Sequence, residues 1–167
     1  MRPGRLAAGF AVVLAAGSVP AWPAEPTSAQ TRAEMIRLID GLEKHPNDPN
    51  AGAVRSQVMA WLTDAPDVTV TVCGQLLGGL DKYSENQGGD LLMQLMFSEA
   101  KFILEHPQQA SDDHAVHVAG LEGVLRTYSV MQADDPKLKI PPVETLARIR
   151  AEQKLSDHVT KAMAKCN

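Results

Sequence analysis

Apolar residues recur along most of this chain at the spacing of amphipathic helices. From residue 28 onward they return every three or four positions, and short segments rich in proline, aspartate and glycine separate one such stretch from the next. A proline cannot continue a helix, so segments such as His45-Pro46 and His106-Pro107 mark helix ends. The predicted helices span residues 28–44, 50–63, 91–105, 112–133, 141–150 and 156–165.

The stretch from Leu91 to Glu105 is apolar around most of its circumference. Its polar positions form one narrow strip: Gln94, Ser98, Lys101 and Glu105. A helix of this kind is typical of the centre of a bundle. We predict that Asp90 caps it and that the other helices pack around it.

Residues 68–80 fit two patterns. Val68 to Val72 alternates with threonine like a strand, which β-branched residues favour. The same segment also repeats apolar residues every four positions, at Val68, Val72, Leu76 and Leu80. No second strand-like run is present in the chain to pair with it, so we favour a helix over this segment.

Together these patterns predict an all-α fold: a single domain of about six amphipathic helices, packed as an irregular bundle around the Leu91–Glu105 helix. The domain is expected to cover residues 25–167, a length that supports one hydrophobic core.

The first 24 residues have the order of a secretory signal peptide. Arg2 and Arg5 form a basic start, residues 6–16 are apolar or small, and small residues and prolines follow. Cleavage is expected after Ala21 or Ala24. The apolar run is about half the length that crosses a bilayer, so a retained anchor is the less favoured alternative. No cysteine lies near the cleavage region, which excludes lipid attachment there, and the predicted location is periplasmic or secreted.

Removal of this leader makes the chain more acidic. The loss of two arginines changes the formal net charge from −4 to −6. This excess of acidic residues argues against a nucleic-acid-binding function, because such binding depends on neutralising phosphates. With no second long apolar run, the mature chain is expected to be soluble and not inserted in a membrane.

Two cysteines remain after cleavage, Cys73 and Cys166. An even number in an oxidising compartment favours a disulfide between them. The alternative is two free thiols. They are too far apart for a CxxC redox pair and too few for a structural zinc site.

One acid and two histidines fall among apolar positions. On the 112–133 helix, His114 and His117 lie on the same arc as the apolar stripe, and Glu99 lies in the apolar arc of the 91–105 helix. Buried ionisable groups need partners, so these side chains are expected to meet. They could bind a divalent transition metal or perform acid–base chemistry. We favour the alternative, a structural pair with no cofactor, because two histidines at this spacing do not complete a metal site.

The function predicted from these observations is non-enzymatic. We expect an exported helical binding or interaction protein of the bacterial periplasm or cell envelope, whose partner is another protein or a second copy of the chain. Two alternatives remain: a metal-binding or hydrolytic protein using Glu99, His114 and His117, and a small exported inhibitor or immunity-type protein.

Overall fold

Six α-helices make up most of the computed structural model, which describes residues 25–80, 82–83 and 87–166. They are α1 (Ala29–Lys44), α2 (Ala51–Asp64), α3 (Gly88–Glu105), α4 (Asp113–Asp134), α5 (Pro141–Ala151) and α6 (Leu155–Met163). Short 3-10 helices at Gly74–Leu77 and Pro107–Gln109 lie between them. The described residues contain no strand, and the all-α prediction is confirmed. The predicted signal peptide, residues 1–24, lies outside the described residues.

Local chemistry fixes where α1 and α4 begin. The Ser28 hydroxyl accepts a hydrogen bond from the Thr31 amide at the start of α1, and the Asp112 carboxylate accepts one from the Ala115 amide at the start of α4. Each satisfies a backbone donor that has no partner within the helix. Prolines follow the last residues of α1 and α3 closely, as the sequence predicted.

The helix predicted over residues 68–80 is wrong. The chain runs from Val68 to Cys73 without helix, turn or bend, and Gly74–Leu77 forms a short 3-10 helix. Gly78 ends that helix in the left-handed region at φ 55°, which glycine adopts without strain. The β-branched residues therefore kept their extended preference even though the described chain gives them no strand to pair with.

The predicted cap of α3 is also wrong. The helix begins at Gly88, and Asp90 lies within its first turn, where it forms an ion pair with Arg55 at 3.2 Å. Gly88 is buried so close to Tyr83 that a Cβ atom there would lie 2.5 Å from the Tyr83 carbonyl oxygen. Glycine at this position lets the helix start against the preceding turn.

The central unit of the fold is a hairpin of α3 and α4, which make the most extensive contact of any two elements. The seven-residue connection that includes Pro107–Gln109 brings the helices side by side. The prediction that α3 lies at the centre is confirmed, but α4 shares that position.

Two apolar clusters lie on either side of this hairpin. The N-terminal cluster joins α1, α2 and the second half of α3, and includes Met35, Ile39, Leu42, Val58, Val68, Phe97, Ile103 and Leu104. The C-terminal cluster joins the start of α3 to α4, α5 and α6, and includes Leu76, Leu91, Leu95, Leu121, Tyr128, Ile140, Val143 and Val159. The hairpin thus contributes to both clusters.

The predicted disulfide between Cys73 and Cys166 is present, with Cα atoms 5.6 Å apart. It joins the segment after α2 to the end of α6. A hydrogen bond of 3.0 Å between His158 Nε2 and the Leu76 carbonyl oxygen joins the same two parts. In the part of the chain that the structure describes, no helix combines the length and apolar character needed to cross a membrane.

Candidate functional site

Glu99 on α3 and His117 on α4 form a hydrogen-bonded pair inside the helical hairpin. The Nδ1 atom of His117 lies 2.7 Å from Oε1 of Glu99. Glu99 is 0% exposed and His117 is 4% exposed. The sequence prediction that an acid and an imidazole face the same interior is therefore confirmed for these two residues.

A glycine one turn beyond His117 creates the space for this pair. A Cβ atom on Gly120 would lie 2.6 Å from Cγ of Glu99 and 2.9 Å from Cδ1 of Leu95. Because a Cβ there would collide with both side chains, the glycine is what allows α4 to lie against Glu99.

Substitution of Gly120 by alanine is expected to destabilise the protein by about 1 to 3 kcal/mol, the range for overfilling a packed interior. The higher helix propensity of alanine offsets part of this cost, by roughly 1 kcal/mol at most. Urea denaturation measures the change. Gly41→Ala is the matched control, because a Cβ on Gly41 in α1 would meet nothing within 4 Å. A Gly120→Ala variant that is more stable than the wild-type protein would contradict the close approach of Gly120 to the Glu99 and Leu95 side chains.

Burial and pairing shift both titrations in the same direction. Burial raises the pKa of Glu99 above its ordinary value of 4.5, and the hydrogen bond and charge of His117 offset only part of that rise. The hydrogen bond to Glu99 raises the pKa of His117 above its ordinary 6.5, and the Glu99 charge adds to it, while burial opposes it. The nearby carboxylate of Asp113 raises both pKa values. The pair therefore retains one proton at a pH where a free imidazole has lost it.

Stability is expected to fall as the pH rises above 6.5. The folded chain holds the His117 proton more tightly than the unfolded chain, so this contribution is complete below 6.5 and is lost as the pH passes the raised pKa of His117. One proton gives a slope of at most about 1.4 kcal/mol per pH unit. Urea denaturation from about pH 6 to 9 measures this slope. The double variant Glu99→Leu with His117→Leu removes both titrating groups and should lack the decrease, and parallel curves for it and the wild-type protein would contradict the assignment.

The pair is enclosed rather than open to a substrate. The second carboxylate oxygen of Glu99, Oε2, is buried and has no hydrogen-bond partner among the described residues. Neither residue lines the groove between α4, α5 and the start of α6. In such surroundings the two side chains can hold a proton and fix the contact of α3 with α4. A general acid or base must reach a substrate, and these two side chains are only 0% and 5% exposed.

His114 is directed away from the pair. Its Nε2 atom lies 3.1 Å from the carbonyl oxygen of Ser156 and 3.2 Å from the Ser156 hydroxyl, at the start of α6. Of the three predicted site residues, two meet and the third joins α4 to α6. Across the described residues, no group of three or more His, Cys, Asp or Glu side chains could hold a metal ion.

A second polar cluster, buried except for Arg126, was not predicted from the sequence. Glu43 of α1 accepts two hydrogen bonds from the guanidinium of Arg126, at 2.8 and 3.0 Å, and one from the Ser98 hydroxyl at 2.9 Å. Gln94 donates to the same hydroxyl at 3.0 Å. The polar strip of α3 thus faces α1. Four-residue spacing of Gln94 and Ser98 was the available signal, but it did not identify Glu43 as the partner.

A surface groove lies between α4, α5 and the start of α6. It has a volume of about 680 Å³ and is lined by both apolar and polar side chains, including Leu125, Tyr128, Gln132 and Gln153. Glu122 and Arg150 form an ion pair of 2.9 Å on its wall, which leaves no unpaired charge between them to attract an ion. The groove is therefore open to contact but carries no recognisable catalytic set.

Comparison with protein-family models, with curated proteins and with solved structures finds no match for this chain. The function is accordingly argued from the chemistry of the chain itself.

Proposed function

We propose that this chain is an exported, non-enzymatic protein of the bacterial periplasm or cell envelope that acts by binding another protein. The observation that carries the proposal is the enclosure of Glu99 and His117. They are the acid and the imidazole that the sequence singles out for chemistry, and their side chains are 0% and 5% exposed. Their hydrogen bond to each other fits a structural role between α3 and α4.

The disulfide supports the proposed compartment. Cys166 is exposed near the end of the chain, where cytoplasmic reductants would reach it, and bonds of this kind persist in oxidising compartments. The basic and apolar order of residues 1–24 agrees with the same compartment.

The test begins with the full chain carrying a C-terminal affinity tag, expressed with its leader in a bacterial host. The expected result is a processed product in the periplasmic fraction. Chemical crosslinking then identifies a partner, and calorimetry with the purified partner is expected to show saturable binding at a fixed stoichiometry. A partner that loses its own activity in the complex would identify the inhibitor or immunity type of binding protein.

The Glu99→Gln variant separates binding from chemistry. It retains a hydrogen-bonding group of the same size next to His117, and partner binding is expected to be unchanged. A hydrolytic activity or a stoichiometric metal ion that this variant and His117→Gln both abolish would contradict the proposal. Retention of the product in the cytoplasm with its leader intact would contradict the compartment.

A further inference from the structure

Residues 68–72 form a strand-like segment that has no partner strand in the described chain. Val68 is buried in the N-terminal cluster and Val70 packs partly against that cluster. Thr69 and Thr71 are exposed. Alternation of this kind is the pattern of a strand with one covered face. Val72 then extends beyond the cluster and is 51% exposed.

The backbone polar groups of this segment form no hydrogen bonds with the rest of the described chain. Among the described residues, no other group accepts from or donates to the backbone N–H and C=O groups of residues 69–72, and the next backbone hydrogen bond is from the Leu76 amide to the Cys73 carbonyl. A row of such groups on an extended segment is a template for pairing with another strand.

The sequence of the segment is a palindrome, Val-Thr-Val-Thr-Val. We infer that residues 68–72 pair antiparallel with the same residues of a second copy of this chain, about a twofold axis at Val70. In this register Val68 lies opposite Val72 and Thr69 lies opposite Thr71. The exposed Val72 of one copy then lies beside Val68 of the other, at the edge of its N-terminal cluster.

A second copy of this chain is a better pairing partner for residues 68–72 than a strand of an unrelated protein. Antiparallel pairing of the palindrome places valine against valine and threonine against threonine on the proper faces, and both kinds of pair stabilise sheets. It also supplies the second strand-like run that the chain itself lacks. The contact is isologous, so it closes as a dimer and does not propagate. The inference goes beyond the proposed binding function and does not depend on it.

The experiment is sedimentation of the mature chain over a range of concentrations. A five-residue ribbon buries less surface than a standard protein interface, so the association is expected to be weak and visible between about 10 µM and 1 mM. A chain that stays monomeric throughout this range would overturn the inference.

Two double variants at exposed positions test the register. In Thr69→Lys with Thr71→Lys, like charges oppose each other at both symmetry-related pairs, and the dimer dissociation constant is expected to rise about tenfold. In Thr69→Lys with Thr71→Glu, opposite charges face each other, and the dimer is expected to persist. Because the threonines are exposed, circular dichroism should show both variants folded. Equal dimerisation of the two variants, or loss of the dimer in both, would overturn the antiparallel pairing at Val70.

Discussion

Replacing His117 by alanine is expected to lower the free energy of unfolding by about 3 to 5 kcal/mol, the loss that follows when one partner of a buried pair is removed. The substitution leaves Glu99 at 0% exposure without its only hydrogen-bond partner among the described residues, and Oε2 of the same carboxyl is already unpaired. A cavity of imidazole size adds to the loss. Since domains of this size are stable by about 5 to 15 kcal/mol, the variant should be close to unfolding at moderate temperature. Urea denaturation at neutral pH measures the change.

Two control variants distinguish the loss of the Glu99–His117 pair from the effect of removing any histidine side chain. His114→Ala on the same helix removes a half-buried ring whose contacts are at the surface, and it should cost less than about 1 kcal/mol. Glu99→Leu combined with His117→Leu replaces both charges by apolar groups and should recover much of the stability that His117→Ala loses. A His117→Ala variant as stable as His114→Ala would contradict the structural role of the pair.

Removing the disulfide is expected to cost about 2 to 5 kcal/mol. The bond spans 93 positions along the sequence, so breaking it restores much conformational freedom to the unfolded chain. The folded state should also loosen where α6 ends. That helix has nine residues, too few to be stable without its tertiary contacts. Urea denaturation of the Cys73→Ala and Cys166→Ala double variant measures the loss. The rate of amide hydrogen exchange should increase most in α6.

Reduction provides the matched control for this prediction. Wild-type protein treated with a dithiol reductant should show the same loss as the double variant, and the double variant should not respond to the reductant. Cys73 is buried, so Cys73→Val with Cys166→Ala keeps the interior filled and isolates the effect of the bond. An unfolding midpoint that does not move on full reduction would show that the bond contributes nothing.

The helices were predictable because their stripes are periodic and their ends carry local signals. His45-Pro46 and His106-Pro107 provide the stops that the sequence predicts, and Ser28 and Asp112, residue types typical of helix caps, lie at the starts of α1 and α4. The start of α3 was not predictable in this way, because it depends on a close approach of Gly88 to Tyr83 that only the folded chain shows.

The segment from residue 68 to 80 was predicted wrongly because a four-residue apolar repeat outweighed β-branched character. The prediction assumed that a strand without a partner is too costly. In the fold the extended part of this segment, residues 68–73, is held at both ends. Val68 is buried in the N-terminal cluster, and Cys73 is buried and forms the disulfide. The burial of Val68 and the disulfide of Cys73 therefore keep these residues extended without the hydrogen bonds of a neighbouring strand.

The candidate site was predictable to the extent that helix geometry determines it. Positions at 100° per residue place Glu99 and His117 on facing arcs of two helices joined by a short connection, and the structure brings them to 2.7 Å. The same reasoning placed His114 with them, but residues three positions apart on a helix still diverge by 60°, and His114 reaches Ser156 on α6 instead. Glu43 of α1 is 55 residues away from Ser98 and still further from Arg126, so no local pattern encodes its contact with the hairpin of α3 and α4.

The enclosure of His117 is tested most directly by labelling histidines with diethyl pyrocarbonate, followed by mass spectrometry of peptides. His45 is exposed after α1 and serves as the internal standard. We expect that His45 is modified in the folded protein while His117 stays unmodified, and that both are modified after unfolding in urea. Modification of His117 at the rate of His45 in the folded protein would contradict the enclosed pair, and with it the argument for a binding protein over an enzyme.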